Sequence, residues 1–85
     1  MKYKVVFAAD VAKQLRRIDR KWQLKIVAAA ESLGDNPRPQ GYKKLVDEGG
    51  LLRLRVGNYR IIYEVIDKIL LVSVLRIAKH NERTY

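Results

Sequence analysis

Leu52-Arg53-Leu54-Arg55-Val56-Gly57-Asn58-Tyr59-Arg60-Ile61-Ile62-Tyr63-Glu64-Val65-Ile66 is the stretch from which the rest of the chain can be read. Leu52, Leu54 and Val56 alternate with Arg53 and Arg55, a period of two that makes a strand with one apolar and one basic face. Gly57-Asn58 interrupts the alternation with residues suited to a hairpin turn, so the segment from Tyr59 onward should return antiparallel. On the returning strand Tyr59, Ile61, Tyr63 and Val65 fall on one side. Arg60, Ile62, Glu64 and Ile66 fall on the other. Arginine and glutamate are costly to bury without partners, so the side of Arg60 and Glu64 should be open, with Arg53 and Arg55 beside them. Alternation alone therefore predicts three guanidinium groups on one uncovered surface.

Downstream, Asp67-Lys68 reads as a second tight turn into a strand over residues 69–77 that carries Arg76. A polar tail follows, Lys79-His80-Asn81-Glu82-Arg83-Thr84-Tyr85. Upstream, residues 3–8 read as a first strand. Asp10 stands where an N-cap belongs, and Val11, Leu15 and Ile18 repeat at helical spacing with Lys13, Arg16 and Arg17 outward. Asp19 is placed to cap a second helix whose buried stripe is Trp22, Ile26, Ala29, Ala30 and Leu33. Gly34 suits its C-terminal end, and Asp35-Asn36-Pro37-Arg38-Pro39 cannot continue it. The expected architecture is α+β. An N-terminal strand and a two-helix hairpin pack on one face of an antiparallel sheet that ends in a three-stranded meander.

The 85 residues, 48% of them apolar, suffice for one core, so a single domain over 1–85 is expected. The absence of cysteine excludes a disulfide scaffold and thiolate metal sites, and one histidine argues against a histidine-based metal centre. No cofactor is expected. No apolar run approaches the roughly 18 residues that span a bilayer. Met1-Lys2-Tyr3-Lys4 lacks the pattern of a secretory leader, so a cytoplasmic location away from membranes is expected. The net charge of +9 favours a polyanionic partner and salt-sensitive binding.

The Arg-Leu-Arg-Val-Gly-Asn-Tyr-Arg-Ile-Ile-Tyr-Glu block resembles the RelE/ParE superfamily of bacterial and archaeal toxins, RelE-type messenger-RNA endonucleases most of all. Lys43-Lys44-Leu45, the strand into Arg76-Ile77-Ala78-Lys79-His80 and the terminal Tyr85 share in the resemblance, which spans nearly the whole chain. It implies a fold similar to that of microbial ribonucleases. It also implies the toxin half of a type II toxin–antitoxin system, which cuts messenger RNA on the ribosome without a metal. In that reaction the ribose 2′-oxygen attacks the adjacent phosphate and the 5′-oxygen leaves.

Carried onto this sequence, the resemblance gives four catalytic candidates. Arg60 matches the arginine that meets the scissile phosphate. Arg53 stands where RelE has a lysine, and supplies charge rather than a proton, because arginine keeps its proton. His80 takes the place of a second catalytic arginine in an ungapped alignment, and a histidine near the C-terminus transfers protons in YoeB-type relatives. Counting back from Tyr85 puts Asn81 in that arginine's place instead. Tyr85 matches a tyrosine that stacks on a base or assists the 2′ proton. Lys43, Lys44, Arg55, Lys79 and Arg83 form the expected phosphate-binding set, whereas an ion pair of Glu64 with Arg55 or Arg60 is the structural alternative. The implied partners are a RelB-like antitoxin with an acidic binding segment, the ribosome and its messenger; DNA would be reached only through the antitoxin. Two rival functions share the fold: a ParE-type inhibitor of DNA gyrase, and a catalytically silent module that binds nucleic acid or antitoxin.

Overall fold

The computed structural model describes residues 2–47 and 49–79, and it confirms an α+β layer pair of two helices on a five-stranded sheet. The elements are β1 Lys4–Phe7, α1 Ala9–Arg16, α2 Arg20–Ser32, β2 Lys43–Lys44, β3 Leu52–Val56, β4 Tyr59–Ile66 and β5 Leu71–Lys79. Their order across the sheet is β1-β5-β4-β3-β2. The β3-β4-β5 meander is antiparallel, as its turns require. The first strand differs from expectation: β1 runs parallel to β5, pairing Lys4 with Leu71 through Phe7 with Val74, so the sheet is mixed. The helix hairpin makes this possible, because it carries the chain across one face and lets the meander end beside its start.

Helix boundaries depart from the sequence reading by small, explicable steps. Ala8 is the N-cap of α1, and Asp10 lies inside the first turn. There it faces the partial positive charge of the helix end instead of capping it. Asp19 does occupy the N-cap of α2, but it acts through its backbone carbonyl, which accepts from Trp22 and Gln23 N–H at 2.9 Å, and its side chain makes no cap bond. Gln23 closes the hairpin: its Nε2 donates to the carbonyls of Leu15 (2.6 Å), in the last turn of α1, and Ile18 (2.7 Å), in the loop between the helices. The second turn is a 3-10 segment, Asp67–Ile69, followed by Leu70 at φ 50°, so β5 begins at Leu71 and runs on to Lys79.

The core lies between helices and sheet. Val11, Ile26, Ala30 and Leu33 meet Leu52, Ile61, Tyr63, Val72, Val74 and Ile77, with Leu15, Ile18, Trp22 and Tyr59 partly buried around them. Burying Tyr63 requires a partner for its hydroxyl, which donates to the Pro37 carbonyl at 2.7 Å. Burial also pushes that phenol up to about 12. Arg38, immediately before the turn that Tyr42 N–H closes on the Pro39 carbonyl, reaches Asp67 with both guanidinium arms (3.0 and 3.3 Å), and Tyr3 Oη donates to the same carboxylate at 2.6 Å. Those donors hold Asp67 below the usual carboxylate range, the Arg38 bonds most.

Candidate nucleic-acid interface

The face of the sheet away from the helices takes its side chains from the register. Residues paired across neighbouring strands share a face. One row therefore runs Lys43, Arg53, Ile62, Arg76 across β2, β3, β4 and β5, and the next runs Arg55, Arg60, Ala78. With strands about 4.8 Å apart, the first row is about 14 Å long. Arg53 and Arg60 are half-buried, with Arg60 Nε itself buried, whereas Lys43, Arg55 and Arg76 are exposed. The predicted cluster of Arg53, Arg55 and Arg60 thus forms, and Lys43 joins it.

Arg55 and Arg60 stand directly opposite each other beside the Gly57–Asn58 turn, an arrangement that like charges oppose. Arg55 is directed toward the turn by a 2.9 Å bond from its Nε to the Gly57 carbonyl. The turn is held by two constraints on residue 57. Its φ is +60°, and a Cβ there would lie 2.3 Å from the Trp22 ring, so only glycine fits without a shift. Trp22 in turn packs at 6.0 Å from the Tyr59 ring, with Lys25 Nζ 4.8 Å from its centroid. The aromatic corner beneath the sheet fixes the turn, and the turn fixes the opposition of Arg55 and Arg60.

Arg76 reaches this face because of an irregularity. Ile62 pairs with Arg76 but Tyr63 pairs with Val74, so Leu75 is an extra residue in β5. Strict alternation would have set Arg76 on the side of Val72 and Val74, beneath the helices. The bulge lets Val72, Val74 and Ile77 all be buried while Arg76 is exposed. Sequence periodicity carries no signal for this, although an arginine at an apparently buried position in a strand is the kind of conflict that a bulge resolves.

Several expectations are corrected. Lys44 pairs with the buried Leu52, and Lys79 pairs with Tyr59, so neither lies on the arginine face. Lys79 instead lines a hollow on the helix side with Gln14 and Arg17. The alternative pairing of Glu64 with Arg55 or Arg60 fails on geometry: Glu64 is four residues along β4 from Arg60, about 13 Å, and faces Ser73. His80, Asn81, Arg83 and Tyr85 lie outside the described residues. What the face can do chemically is concentrate fixed positive charge on an anion, using guanidinium forks that match phosphate oxygens in pairs. No helix among the described residues is long and apolar enough to cross a membrane.

Residues 2–84 match the family model described as the ParE toxin of the type II toxin–antitoxin system parDE. The chain is 28% identical over 82 residues to a RelE-like toxin protein of Escherichia coli, covering 95% of this chain and 86% of that one. Among solved structures it resembles the archaeal RelE–RelB complex of Pyrococcus horikoshii, with TM-score 0.84, 26% identity and coverage of 96% of this chain and 99% of that one. A RelBE toxin–antitoxin complex of Mycobacterium tuberculosis gives TM-score 0.83 at 26% identity, over 94% of this chain and 100% of the other. At 20% identity a YoeB/ParE toxin from Agrobacterium tumefaciens shares the fold, with TM-score 0.74, over 92% of this chain and 99% of that one.

Proposed function

The chain belongs to the ParE toxin family of type II toxin–antitoxin systems, and on that footing we propose that it is a ribosome-dependent messenger-RNA endonuclease acting in the cytoplasm. The observation that carries this reading is the cross-strand alignment of Arg60 with Arg55, one row from Arg53 and Arg76, on the side of the sheet away from the helices. A phosphodiester laid over these rows meets several guanidinium groups at once. In the reaction the 2′-oxygen attacks phosphorus, charge builds on the non-bridging oxygens, and the P–O5′ bond breaks. Arg60 holds those oxygens, and Arg53 adds fixed charge from the neighbouring strand. The 2′-oxygen gives up a proton and the 5′-oxygen gains one, steps for which the tail supplies the titratable His80 and Tyr85. Lys43, Arg55 and Arg76 position the backbone. The face, being cationic, suits an acidic segment of a RelB-like antitoxin, which would block the site by covering it.

The matching family model keeps the gyrase-inhibitor reading as a rival. Induction in growing cells followed by primer extension on translated messenger separates the two. Cuts inside codons that vanish in Arg60→Ala, with folding intact, support the endonuclease. Inhibition of growth with DNA breaks and uncut messenger would replace it with the rival. His80→Gln should alter the pH dependence of single-turnover cleavage, and an unchanged profile would remove that residue from the proton path.

A further inference from the structure

Among the described residues, the strands of the sheet carry a single acid, Glu64. It lies half-buried on the face away from the helices, in a row that runs Glu64, Ser73, Val6 across β4, β5 and β1. The row beyond it runs Ile66, Leu71, Lys4. On its other side, one step of about 7 Å along β4, is the row that carries Arg53 and Arg76. The face is therefore divided. Guanidinium groups occupy one half, and an acid, a hydroxyl and partly buried aliphatic side chains occupy the other.

Glu64 stands against a local preference. A cation across the strand from it would form a stabilising pair, yet its partner on β5 is Ser73. Neither side chain has a hydrogen-bonded or ion-paired partner among the described residues. A carboxylate on a surface suited to phosphate also weakens the attraction for a polyanion. Conflicts of this kind between residue and position are expected at functional sites. A nucleotide resolves this one, because its phosphate seeks the arginines while its base offers N–H donors and an apolar plane.

We infer that Glu64 and Ser73 read the base that adjoins the arginine-held phosphate, and that they select guanine. Single-stranded RNA is recognised through the hydrogen-bonding edges of its unstacked bases. On the Watson–Crick edge guanine alone presents two neighbouring donors, N1–H and the N2 amino group, followed by the O6 acceptor. The two carboxylate oxygens of Glu64 accept from those donors, and the Ser73 hydroxyl donates to O6. Ile66 and Leu71 supply the apolar surface on which the ring rests. Uracil, with a carbonyl oxygen on either side of its one N–H, would set an oxygen against the carboxylate. The same charge repels a phosphate from this half of the face, so it also fixes which way the strand lies. The inference rests on the endonuclease reading, since it names the base beside that reading's scissile phosphate.

The test maps cuts by primer extension while the full chain acts on translated messenger. In wild type, cuts should fall beside guanine about tenfold more often than beside uracil, and Glu64→Gln should lose most of that preference. Ser73→Ala, which removes one neutral hydrogen bond, should weaken the preference by about threefold. Replacing the guanosine of one cut codon by inosine, which lacks the N2 amino group, should slow wild type by about tenfold and leave Glu64→Gln unaffected. The inosine measurement on wild type needs no variant, so it decides the matter even where a substitution impairs folding. Equal rates on guanosine and inosine, while Arg60→Ala still abolishes cleavage, would discard the base contact and keep the active face. Cleavage that Glu64→Gln reduces alike beside every base would make Glu64 a support of the arginine rows and overturn the proposal. A wild-type chain that leaves messenger uncut would remove the endonuclease reading, and this inference with it.

Discussion

At the scale of single residues, position and chemistry are coupled most tightly at Arg60 and Gly57. Arg60→Lys keeps the charge but loses the fork, so cleavage of translated messenger should fall by about tenfold to a hundredfold while Arg60→Ala loses at least that much. Equal cleavage by the lysine variant and the wild type would show that the second guanidinium arm is idle. Gly57→Ala meets both a positive φ and the Trp22 ring. It should cost about 2–4 kcal/mol in denaturant unfolding. Because the same turn sets Arg55 against Arg60, a variant that still folds should also cut more slowly. Tyr63 is a third case. Its phenol, pushed up to about 12 by burial, stays protonated in the folded chain after it would ionise in the unfolded one. That contribution is whole below about pH 10 and is lost as pH climbs toward 12. Tyr63→Phe should remove this alkaline loss and, by stranding the Pro37 carbonyl, destabilise by about 1 kcal/mol at neutral pH, measurable by urea unfolding at pH 7 and 11.

At the scale of elements, the hairpin turn and parity were legible in the sequence, whereas connections set by distant contacts were not. Alternation through Leu52–Val56 and Tyr59–Ile66 placed Arg53, Arg55 and Arg60 on one face, because a half-covered strand forces apolar and basic residues apart. The helix stripes of Val11, Ile26, Ala30 and Leu33 were equally plain. The parallel pairing of β1 had no local signature, since direction is decided by where the helices deliver the chain. Lys44 and Lys79 were misplaced because a cation at a strand end reads the same on either face. Nor could the Arg38–Asp67–Tyr3 clamp be foreseen, as it joins three segments through side chains alone. Asp67, with its acidity enhanced by those donors, contributes stability that is whole above the ordinary aspartate range and disappears as pH falls through its lowered value. Wild type should therefore exceed Asp67→Asn at pH 7, with the difference closing as pH falls below the ordinary aspartate range; a gap that persists in acid would mean the clamp acts through shape and not charge.

At the scale of the whole molecule, a charge of +9 on 85 residues acts in two directions. Self-repulsion, including the facing Arg55 and Arg60, destabilises the compact state, and screening relieves it. On the proposed reading, binding to single-stranded RNA would depend on the same charges and weaken on screening. Raising KCl from about 50 to 200 mM should raise the unfolding midpoint while lowering RNA affinity. If Lys43, Arg53, Arg55, Arg60 and Arg76 all engage phosphates, the logarithmic slope should be about −3.5. A slope near zero would mean that the face does not meet a phosphate backbone. The five-stranded sheet holds these cations on one rigid plane, so the unfavourable self-energy and the binding strength are properties of a single surface.

The extra residue at Leu75 ties that surface to the interior. Upstream of it β5 keeps one phase, downstream the other, and the step between them is what lets Val72, Val74 and Ile77 all lie beneath while Arg76 stays above. Removing Leu75 would put the two halves out of step with their surroundings: Arg76 would turn under the helices and Ile77 into water. A lineage carrying this chain cannot shorten β5 by one residue and retain a merely inactive protein, because the same deletion that disarms it also unseats its core.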